Sequence, residues 1–420
     1  MVDLKKELIM MTDKTLLFEA EKDKNILMES RRWLHAHAET GFDLQETKEY
    51  VRQKLIEIGC EPVDCGKAGL VAVIGGKKTG KTFLLRADMD ALPIPEESDV
   101  GFPSSNGNMH ACGHDMHTTM LLGAAKLLKA HEDEIAGTVK LMFQPAEEVF
   151  MGCQDMIQAG VLKDPDVDAA MMIHVTAGTP LPAGTVVVSA PGISAPAADY
   201  FSIRVQGKGC HGSAPQDGID PLTASAHILI ALQEIQAREL AASDEVVLTI
   251  GTMNAGTAAN AIPDSVTMGG SIRTFDEKVR AKLKRRLIEI ATGVASAFRT
   301  AAEVSFGSGC PTLVNDAQLS TEMRTYLTDL LGEKMVLSTA DFAVNGKASR
   351  GGGSEDFAYA THQVPSLMLA LAAGEPEKGY QHPQHHPKVK FDETVLPVGS
   401  AVFAYAAMRW LDEHQIKQEA

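Results

Sequence analysis

The sequence has little of what membrane-spanning and secreted proteins require. No apolar run approaches the roughly 20 residues that a membrane-spanning helix needs. The N-terminus, residues 1–24, lacks the continuous apolar segment and the small-residue cleavage site of a secretory signal. Only six cysteines occur in 420 residues, too few for a disulfide-stapled scaffold. We therefore expect a cytoplasmic protein with reduced thiols.

Positive charge is also scarce. The chain has 39 Lys and Arg residues against 55 Asp and Glu residues, and the formal net charge is −16. Such a surplus repels the phosphate backbone and anionic lipids, so neither nucleic acid nor a membrane is an expected partner. The apolar fraction of 45% is that of a folded globular protein and excludes chain-wide disorder. The length allows two or three domains.

Short apolar segments alternate with helical patterns in the first part of the chain. Strands are predicted at 70–76, 82–90, 138–148 and 168–175. Helices are predicted within 20–59, as a pair, and at 118–130. Alternation of this kind predicts an α/β sheet with helices on both faces.

The pattern changes at residues 191–196, a stretch of Pro, Gly, Ser and Ala that predicts a linker. Beyond it, strands and helices follow the order β-α-β-β-α-β, which is that of the split βαβ sandwich. These elements are predicted at 199–206, 220–238, 245–253, 265–274, 276–298 and 301–306. We therefore expect a domain at 194–306, inserted into a larger, discontinuous α/β domain formed by 1–193 and 307–420.

Histidines and a cysteine are concentrated just before the helix predicted at 118–130. They are His110, Cys112, His114 and His117. Cys112 and His114 cannot share a helix face, but in an extended loop their side chains point to the same side. A thiolate beside an imidazole is a good pair of ligands for a divalent metal ion. The alternative is a polar loop whose histidines are incidental.

Two adjacent glutamates, Glu147 and Glu148, end the strand predicted at 138–148. Functional groups gather at the carboxyl ends of strands in α/β sheets, and adjacent carboxylates repel unless a cation or a proton intervenes. Because neighbours on an extended backbone point to opposite sides, Glu148 is expected to bind metal and Glu147 to face the substrate as a base. The alternative is a solvated helix start, where the helix dipole favours glutamate.

Three further pieces lie at predicted strand ends or in loops. His174 ends a strand, where a lone histidine is more often a core residue than a ligand. Asp90 is a candidate for orienting a histidine ligand, or an ordinary turn residue. His385 and His386 belong to a histidine-rich loop that is otherwise an exposed loop. Since all of these residues are predicted at strand ends or loops of one sheet, they predict a single cleft.

Seven motifs in these and later segments carry a family resemblance. They are RADMDALPIPEE, MHACGHDMHTTMLLGAAKLL, FQPAEE, GKGCHGSAPQDGIDP, AANAIPD, GSIRTFD and GGGSEDFAY. Together they resemble the amidohydrolase branch of the aminoacylase-like two-metal metallopeptidases. That branch includes hippurate hydrolases, indole-acetyl-amino-acid hydrolases and N-acetyl-diaminopimelate deacetylases. The resemblance implies a zinc-peptidase-like catalytic α/β domain and an inserted ferredoxin-like domain that serves as a lid and dimerisation domain.

The resemblance also implies metal ligands and a base. The positions that match the metal ligands are Cys112, His114, Glu148, His174 and His385. We choose His385 over His386 because the family's ligand lies two residues before a proline. Glu147 matches the general base of the family.

Residues of the inserted domain match substrate-binding positions of the family. His211 matches a lid histidine that reaches the substrate or an oxyanion. Asn260 and Arg273 lie in lid motifs and could bind a substrate carboxylate, with a turn Asn and a sheet-paired Arg as the structural alternatives. Cys210 precedes His211 where glycine is usual, and such departures leave substrate preference open.

The implied activity is hydrolysis of N-acyl amino acids to a carboxylic acid and a free amino acid. The resemblance implies two divalent ions per subunit (zinc, manganese or cobalt), a metal-activated water, Glu147 as base, and a homodimer or homotetramer. A dipeptidase or aminopeptidase with the same metals is the alternative, but no motif identifies the acidic partner that a free substrate amine would need. A binding protein without catalysis would be expected to have lost Glu147 or a ligand.

Overall fold

A computed structural model describes residues 15–344 and 348–415 of the chain. Residues 1–14, on which the expectation about a secretory signal partly rests, lie outside the described residues. The chain divides into two compact units. The first runs up to Ser194 and includes Val314–Arg350 and the chain from Tyr359 onward. The second comprises Ala195–Leu313 and Gly351–Ala358.

Helices and strands alternate along most of the described chain. The helices are α1 (15–22), α2 (Lys24–Ala36), α3 (Gln45–Ile58), α4 (His114–Ala130), α5 (Gly152–Gln158), α6 (Pro221–Glu234), α7 (Glu277–Ala297), α8 (Ala317–Leu331), α9 (Ala358–Thr361) and α10 (Leu396–Glu413). The strands are β1 (Val63–Cys65), β2 (Gly69–Gly75), β3 (Lys81–Asp88), β4 (Gly137–Gln144), β5 (Ala169–Thr176), β6 (Val186–Val188), β7 (Gly192–Ala195), β8 (Ala197–Gln206), β9 (Cys210–His211), β10 (Val246–Ala255), β11 (Ala261–Ile262), β12 (Ser265–Thr274), β13 (Ala301–Cys310), β14 (Leu313–Asn315), β15 (Val336–Ser338) and β16 (Ser366–Ala372).

The first unit is built on an eight-stranded mixed sheet with the order β1-β2-β4-β3-β5-β16-β6-β15. Strands β4, β3, β5 and β16 are parallel, whereas β1 and β2 pair antiparallel. Every residue of β4 is buried, and so are all but the first of β3, as expected for strands covered on both faces. The predicted α/β class is confirmed. The carboxyl ends of β4, β3 and β5 therefore meet at one edge of the sheet.

Helix α4 lies at the centre of this unit. It is buried along almost its whole length and packs against α2, α3 and α10. Segment Glu393–Glu413, which contains α10, is long and apolar enough to span a membrane, but 78% of its apolar window is buried inside the structure. Its apolar composition is explained by packing in the core. Because α4 is held on all sides, the loop at its first residue is fixed relative to the sheet.

Three of the differences between the predicted elements and the structure concern the site or the domain boundary. The strand predicted at 138–148 ends at Gln144, because Pro145 has no N–H for a sheet hydrogen bond and Ala146 turns the chain with φ +55°. The helix predicted at 118–130 begins earlier, at His114. The predicted linker at 191–196 contains strand β7.

The second unit has its own sheet and core. Strands β8, β10, β12 and β13 form an antiparallel sheet with the order β10-β12-β8-β13, and helices α6 and α7 pack on it. The main elements follow the order β-α-β-β-α-β along the chain. The unit runs to Leu313 rather than to residue 306, since β13 continues to Cys310, which pairs with Ala198.

Candidate metal centre and active site

The loop before α4 brings Cys112 and His114 to one point. Gly113 lies between them with φ +91°, a conformation that glycine adopts without steric cost. A Cβ at this position would lie 2.4 Å from Cγ2 of Val175. Glycine is therefore what lets the loop pass this close to β5. The two side chains share one side because of this turn, and not because of an extended loop as the sequence predicted.

One nitrogen of each candidate histidine ligand is fixed by a backbone carbonyl. His114 Nδ1 lies 2.7 Å from the Asp90 oxygen, and His174 Nδ1 lies 2.7 Å from the Val175 oxygen. Because a carbonyl only accepts, each Nδ1 carries a proton and Nε2 is the nitrogen left to bind a cation. His174 Nε2 lies 3.4 Å from Cys112 Sγ. His114 Nε2 is buried without a hydrogen-bond partner among the described residues, as expected of a metal ligand shown without its ion.

Glu147 and Glu148 lie in a tight turn. Ala146 has φ +55°, and the Phe150 amide donates to the Glu147 carbonyl at 2.7 Å. The carboxylate of Glu147 lies 4.0 Å from His114 Nε2, and that of Glu148 lies 3.8 Å from the same atom. The expectation that the two side chains point to opposite sides is wrong, because it assumed an extended backbone. Glu148 Oε1 is also buried without a partner in the described part of the chain.

A glycine and an aspartate allow and hold this turn. At Gly152 the chain folds back so closely that a Cβ would lie 1.5 Å from the Pro145 oxygen, so only glycine fits there. The Asp90 carboxylate accepts from the amide of Glu147 at 3.0 Å and from that of Glu148 at 3.1 Å. Asp90 was expected to orient a histidine ligand. Its backbone oxygen lies 2.7 Å from His114 Nδ1 and its Oδ1 lies 3.5 Å from the same nitrogen, while the carboxylate also holds the two glutamates.

The histidine doublet near the C-terminus points in two directions. His385 has φ +65°, and its Nε2 lies 3.6 Å from Glu148 Oε2. His386 Nδ1 instead accepts from the Lys388 amide at 3.0 Å, and its ring stacks on that of His382 with centroids 4.2 Å apart. Of the two, His385 is the one that lies beside the glutamates.

The candidate ligand atoms form overlapping groups in which all atoms lie within 4.8 Å of one another. Three of these groups are Cys112 with His114 and His174, Cys112 with Glu148 and His385, and His114 with Glu147 and Glu148. Cys112 is common to the first two groups, so its sulfur lies between two sets of ligands. Thiolate, imidazole and carboxylate together suit divalent transition metals. Two of the ligand atoms, His114 Nε2 and Glu148 Oε1, are buried and have no hydrogen-bond partner in residues 15–344 and 348–415, so these residues fit a metal centre.

The candidate ligands Cys112, Glu148 and His114 have shifted pKa values in the metal-free protein. Burial raises the pKa of the Cys112 thiol to about 12 and that of the Glu148 carboxyl to about 7. Burial disfavours the charged form of His114, but Asp88, Cys112 and Asp90 together outweigh it and hold the pKa of His114 well above its usual value. Each group therefore has to lose a proton before it binds a cation.

Asp88 and His117 were not among the predicted site residues, although Asp88 shares the strand end of Asp90. His117 Nδ1 lies 2.6 Å from Asp88 Oδ1, and its Nε2 accepts from the Val175 amide at 2.8 Å. Both ring nitrogens are thus engaged, and His117 is not a ligand in this arrangement. The signal that was available is the spacing of His114 and His117, which places them on one face of α4.

Two of the predicted substrate-binding residues lie next to each other in the second unit. His211 is exposed on β9, and its Nδ1 accepts from the Ser213 amide at 3.1 Å. The backbone oxygen of Asn260 accepts from the Gly212 amide at 2.7 Å. The Ser213 bond places the proton of a neutral His211 on Nε2, so that nitrogen is a donor.

Arg273, the third of these residues, is engaged within the second unit. It lies on β12 and donates to Ser354 Oγ at 2.6 Å and to the Tyr200 hydroxyl at 3.3 Å. These bonds fix the guanidinium at one end of the sheet.

Known proteins resemble the chain over most of its length. The family model described as Peptidase family M20/M25/M40 matches residues 84–409. IAA-amino acid hydrolase ILR1-like 2 of Arabidopsis thaliana is 36% identical over 416 residues, which cover 96% of this chain and 90% of the relative. N-acetyl-L-cysteine deacetylase of Bacillus subtilis (strain 168) is 35% identical over 387 residues, covering 92% and 88%. Among solved crystal structures, that of the Bacillus subtilis YXEP protein, described as a dinuclear metal binding peptidase, matches with a TM-score of 0.74. Its sequence is 32% identical, and the match covers 93% of this chain and 98% of that chain.

Proposed function

The chain belongs to peptidase family M20/M25/M40, and on that premise we propose that it hydrolyses N-acyl amino acids to a carboxylic acid and a free amino acid. It is a metal-dependent amidohydrolase. The names of two relatives, an IAA-amino acid hydrolase and an N-acetyl-L-cysteine deacetylase, support this substrate class. The observation that carries the proposal is the position of Glu147 and Glu148 beside His114 Nε2, which is buried and has no hydrogen-bond partner in the described part of the chain.

We assign two divalent cations per subunit to the centre. The residues that would hold them are Cys112, His114, Glu148, His174 and His385. The place of Cys112 in two ligand groups supports a pair of ions rather than one. Thiolate and imidazole favour zinc, while the carboxylate also admits manganese or cobalt. Divalent ions in such a site polarise the scissile carbonyl and lower the pKa of water toward neutrality.

Glu147 is the general base in this proposal. Its side chain is buried, and its backbone amide is held by Asp90, so the carboxylate has a defined place beside the candidate ligands. Glu147 takes a proton from the attacking water as the new C–O bond forms at the amide carbon. It then passes that proton to the nitrogen as the C–N bond breaks, so one carboxylate serves first as base and then as acid.

The second unit would serve as the lid and dimerisation domain. We propose that His211 donates from Nε2 to the developing oxyanion, and that Asn260 and Arg273 bind the substrate carboxylate. The exposure of His211 and its bond from Ser213 support the first assignment.

The assembly expected is a homodimer or homotetramer, which light scattering on the purified protein measures. All six cysteines are free thiols, which agrees with a cytoplasmic location.

The central test compares the two adjacent glutamates. We expect Glu147→Gln to lower kcat by about 10²- to 10⁴-fold, the usual worth of a general base, with the metal content unchanged. Glu148→Gln is the matched control, the same exchange one residue along, and should instead lower the affinity for the metal. Both are measured by elemental analysis and by amine release from N-acyl amino acids. Wild-type turnover by metal-loaded Glu147→Gln would show that another group is the base.

A substrate panel separates this activity from that of a dipeptidase or aminopeptidase. The panel contains N-acetyl amino acids, N-benzoyl amino acids and unblocked dipeptides, with ninhydrin detection of the released amino acid before and after chelation. The proposal expects cleavage of the blocked compounds and its loss on chelation. Preferred cleavage of unblocked dipeptides would favour the peptidase instead.

A further inference from the structure

A chain of buried hydrogen bonds runs behind the candidate ligands, across the carboxyl ends of three strands. Arg86 donates from Nε to Gln144 at 2.9 Å and from Nη1 to Asp88 Oδ2 at 2.6 Å. Asp88 Oδ1 accepts from His117 Nδ1 at 2.6 Å, and His117 Nε2 accepts from the Val175 amide at 2.8 Å. The four side chains that form these hydrogen bonds are fully buried. The hydrogen bonds link the ends of β4, β3 and β5 through the first turn of α4.

The direction of these bonds fixes the tautomer of His117. The Val175 N–H can only donate, so His117 Nε2 presents a lone pair to it. The ring proton then lies on Nδ1, where the Asp88 carboxylate accepts it. A carboxylate that fixes the tautomer and orientation of an imidazole is a recurrent way of supporting a site. Here the imidazole supports a backbone amide rather than a metal.

The Val175 amide needs such a partner because the pairing of β5 with β3 has ended before this residue, although β5 still pairs with β16 on its other side. The ladder between β3 and β5 ends at Arg86 and Met172. Beyond that point the buried amide of Val175 is bonded to His117 and not to a neighbouring strand. A buried amide without an acceptor costs about 1–3 kcal/mol, so His117 completes the end of β5.

The same residue contacts the neighbouring candidate ligand directly. His174 precedes Val175, and its ring meets the His117 ring edge to face with centroids 4.6 Å apart. His117 thus holds the backbone on one side of His174 and packs against its ring. We infer that His117 is the positioning residue that aims His174 Nε2 at Cys112. This inference rests on the metal site of the proposed function.

The test uses substitutions that separate two features of His117, its hydrogen-bond acceptor for the Val175 amide and its ring packed against His174. His117→Phe keeps the ring but removes the acceptor for Val175, whereas His117→Gln offers an amide oxygen near the position of Nε2. Cobalt affinity is measured by competition with a chromophoric chelator, and the visible spectrum of the cobalt-loaded protein reports the ligand geometry. His110→Phe is the matched control: it makes the same exchange in the same motif, where neither ring nitrogen has a partner among the described residues.

We expect His117→Phe to lower cobalt affinity by about 10- to 100-fold, the usual effect of losing a residue that supports a ligand, and to change the spectrum. His117→Gln should restore much of the cobalt affinity and of the wild-type spectrum. His110→Phe should leave the cobalt affinity and the spectrum close to those of the wild type. Wild-type affinity and spectrum in His117→Phe, or equal losses in the Phe and Gln variants, would overturn the inference.

Two further comparisons keep the outcome interpretable. If His117→Phe does not fold, His117→Asn replaces it, since the shorter amide does not reach Val175, and His117→Gln must then exceed it in affinity. Failure of the wild-type protein to bind cobalt would overturn the proposed metal site together with the role of His117. Cobalt binding by the wild type with no effect of either substitution would remove only the role of His117.

Discussion

Asp90 is a point at which the site can be disturbed without changing a candidate ligand. Its carboxylate is fully buried and accepts from the amides of Glu147 and Glu148, one at each oxygen. Asp90→Asn keeps the shape of the side chain but replaces one acceptor by an NH₂ donor, which then faces a backbone N–H. The shorter contact from His114 Nδ1, 2.7 Å to the Asp90 backbone oxygen, is unchanged by the substitution, and the same nitrogen lies 3.5 Å from Asp90 Oδ1.

The size of the effect follows from the two bonds. A hydrogen bond to a charged acceptor contributes about 1.5–3 kcal/mol, and a buried donor left unpaired costs about 1–3 kcal/mol. These overlap, because the orphaned amide is one end of the lost bond, and we expect a total of about 2–4 kcal/mol. The loss should appear at the turn that carries Glu147 and Glu148. As a change in affinity it corresponds to roughly 30- to 700-fold.

The assay is metal affinity by chelator competition, measured beside kcat of the fully loaded enzyme. Weaker binding reports the displacement of Glu148, and a lower kcat at saturation reports that of Glu147. Asp99→Asn is the matched control, since that carboxylate is 81% exposed and pairs only with Lys390 among the contacts described. Wild-type affinity and turnover in Asp90→Asn would refute the reasoning that its two bonds hold the turn.

Two other predictions concern protons and the second unit. Cation binding should release a proton from Cys112 throughout the neutral range and a further one from Glu148 below about pH 7, so that affinity rises with pH, because the pKa values of Cys112 and Glu148 lie at about 12 and about 7 in the metal-free protein. Calorimetry in buffers of different ionisation enthalpy measures this, and an affinity independent of pH would contradict it. His211→Ala should lower kcat by about 10²- to 10³-fold, the worth of one oxyanion donor, while elemental analysis shows unchanged metal content; a parallel loss of metal and activity would make His211 structural.

The sequence by itself determined the architecture and the chemical class. The alternation of apolar strands and helices was sufficient for the α/β class, because burial imposes those periods locally. The residue types before α4 and after β4 indicated a metal centre, since thiolate, imidazole and adjacent carboxylates have few other uses at strand ends. Family motifs then pointed to an amidohydrolase, and the comparisons confirm that class.

Only the tertiary structure decided the orientations within the site. The positive φ of Ala146 places both glutamates on one side of the chain, and that of His385 separates it from His386. The bonds of Asp90 and His117 join residues 57 and 58 positions apart, across strands that meet only in the folded sheet. Local periodicity reports which face of an element is buried. It carries no information on which polar groups meet at the ends of different strands, because long-range packing sets those contacts.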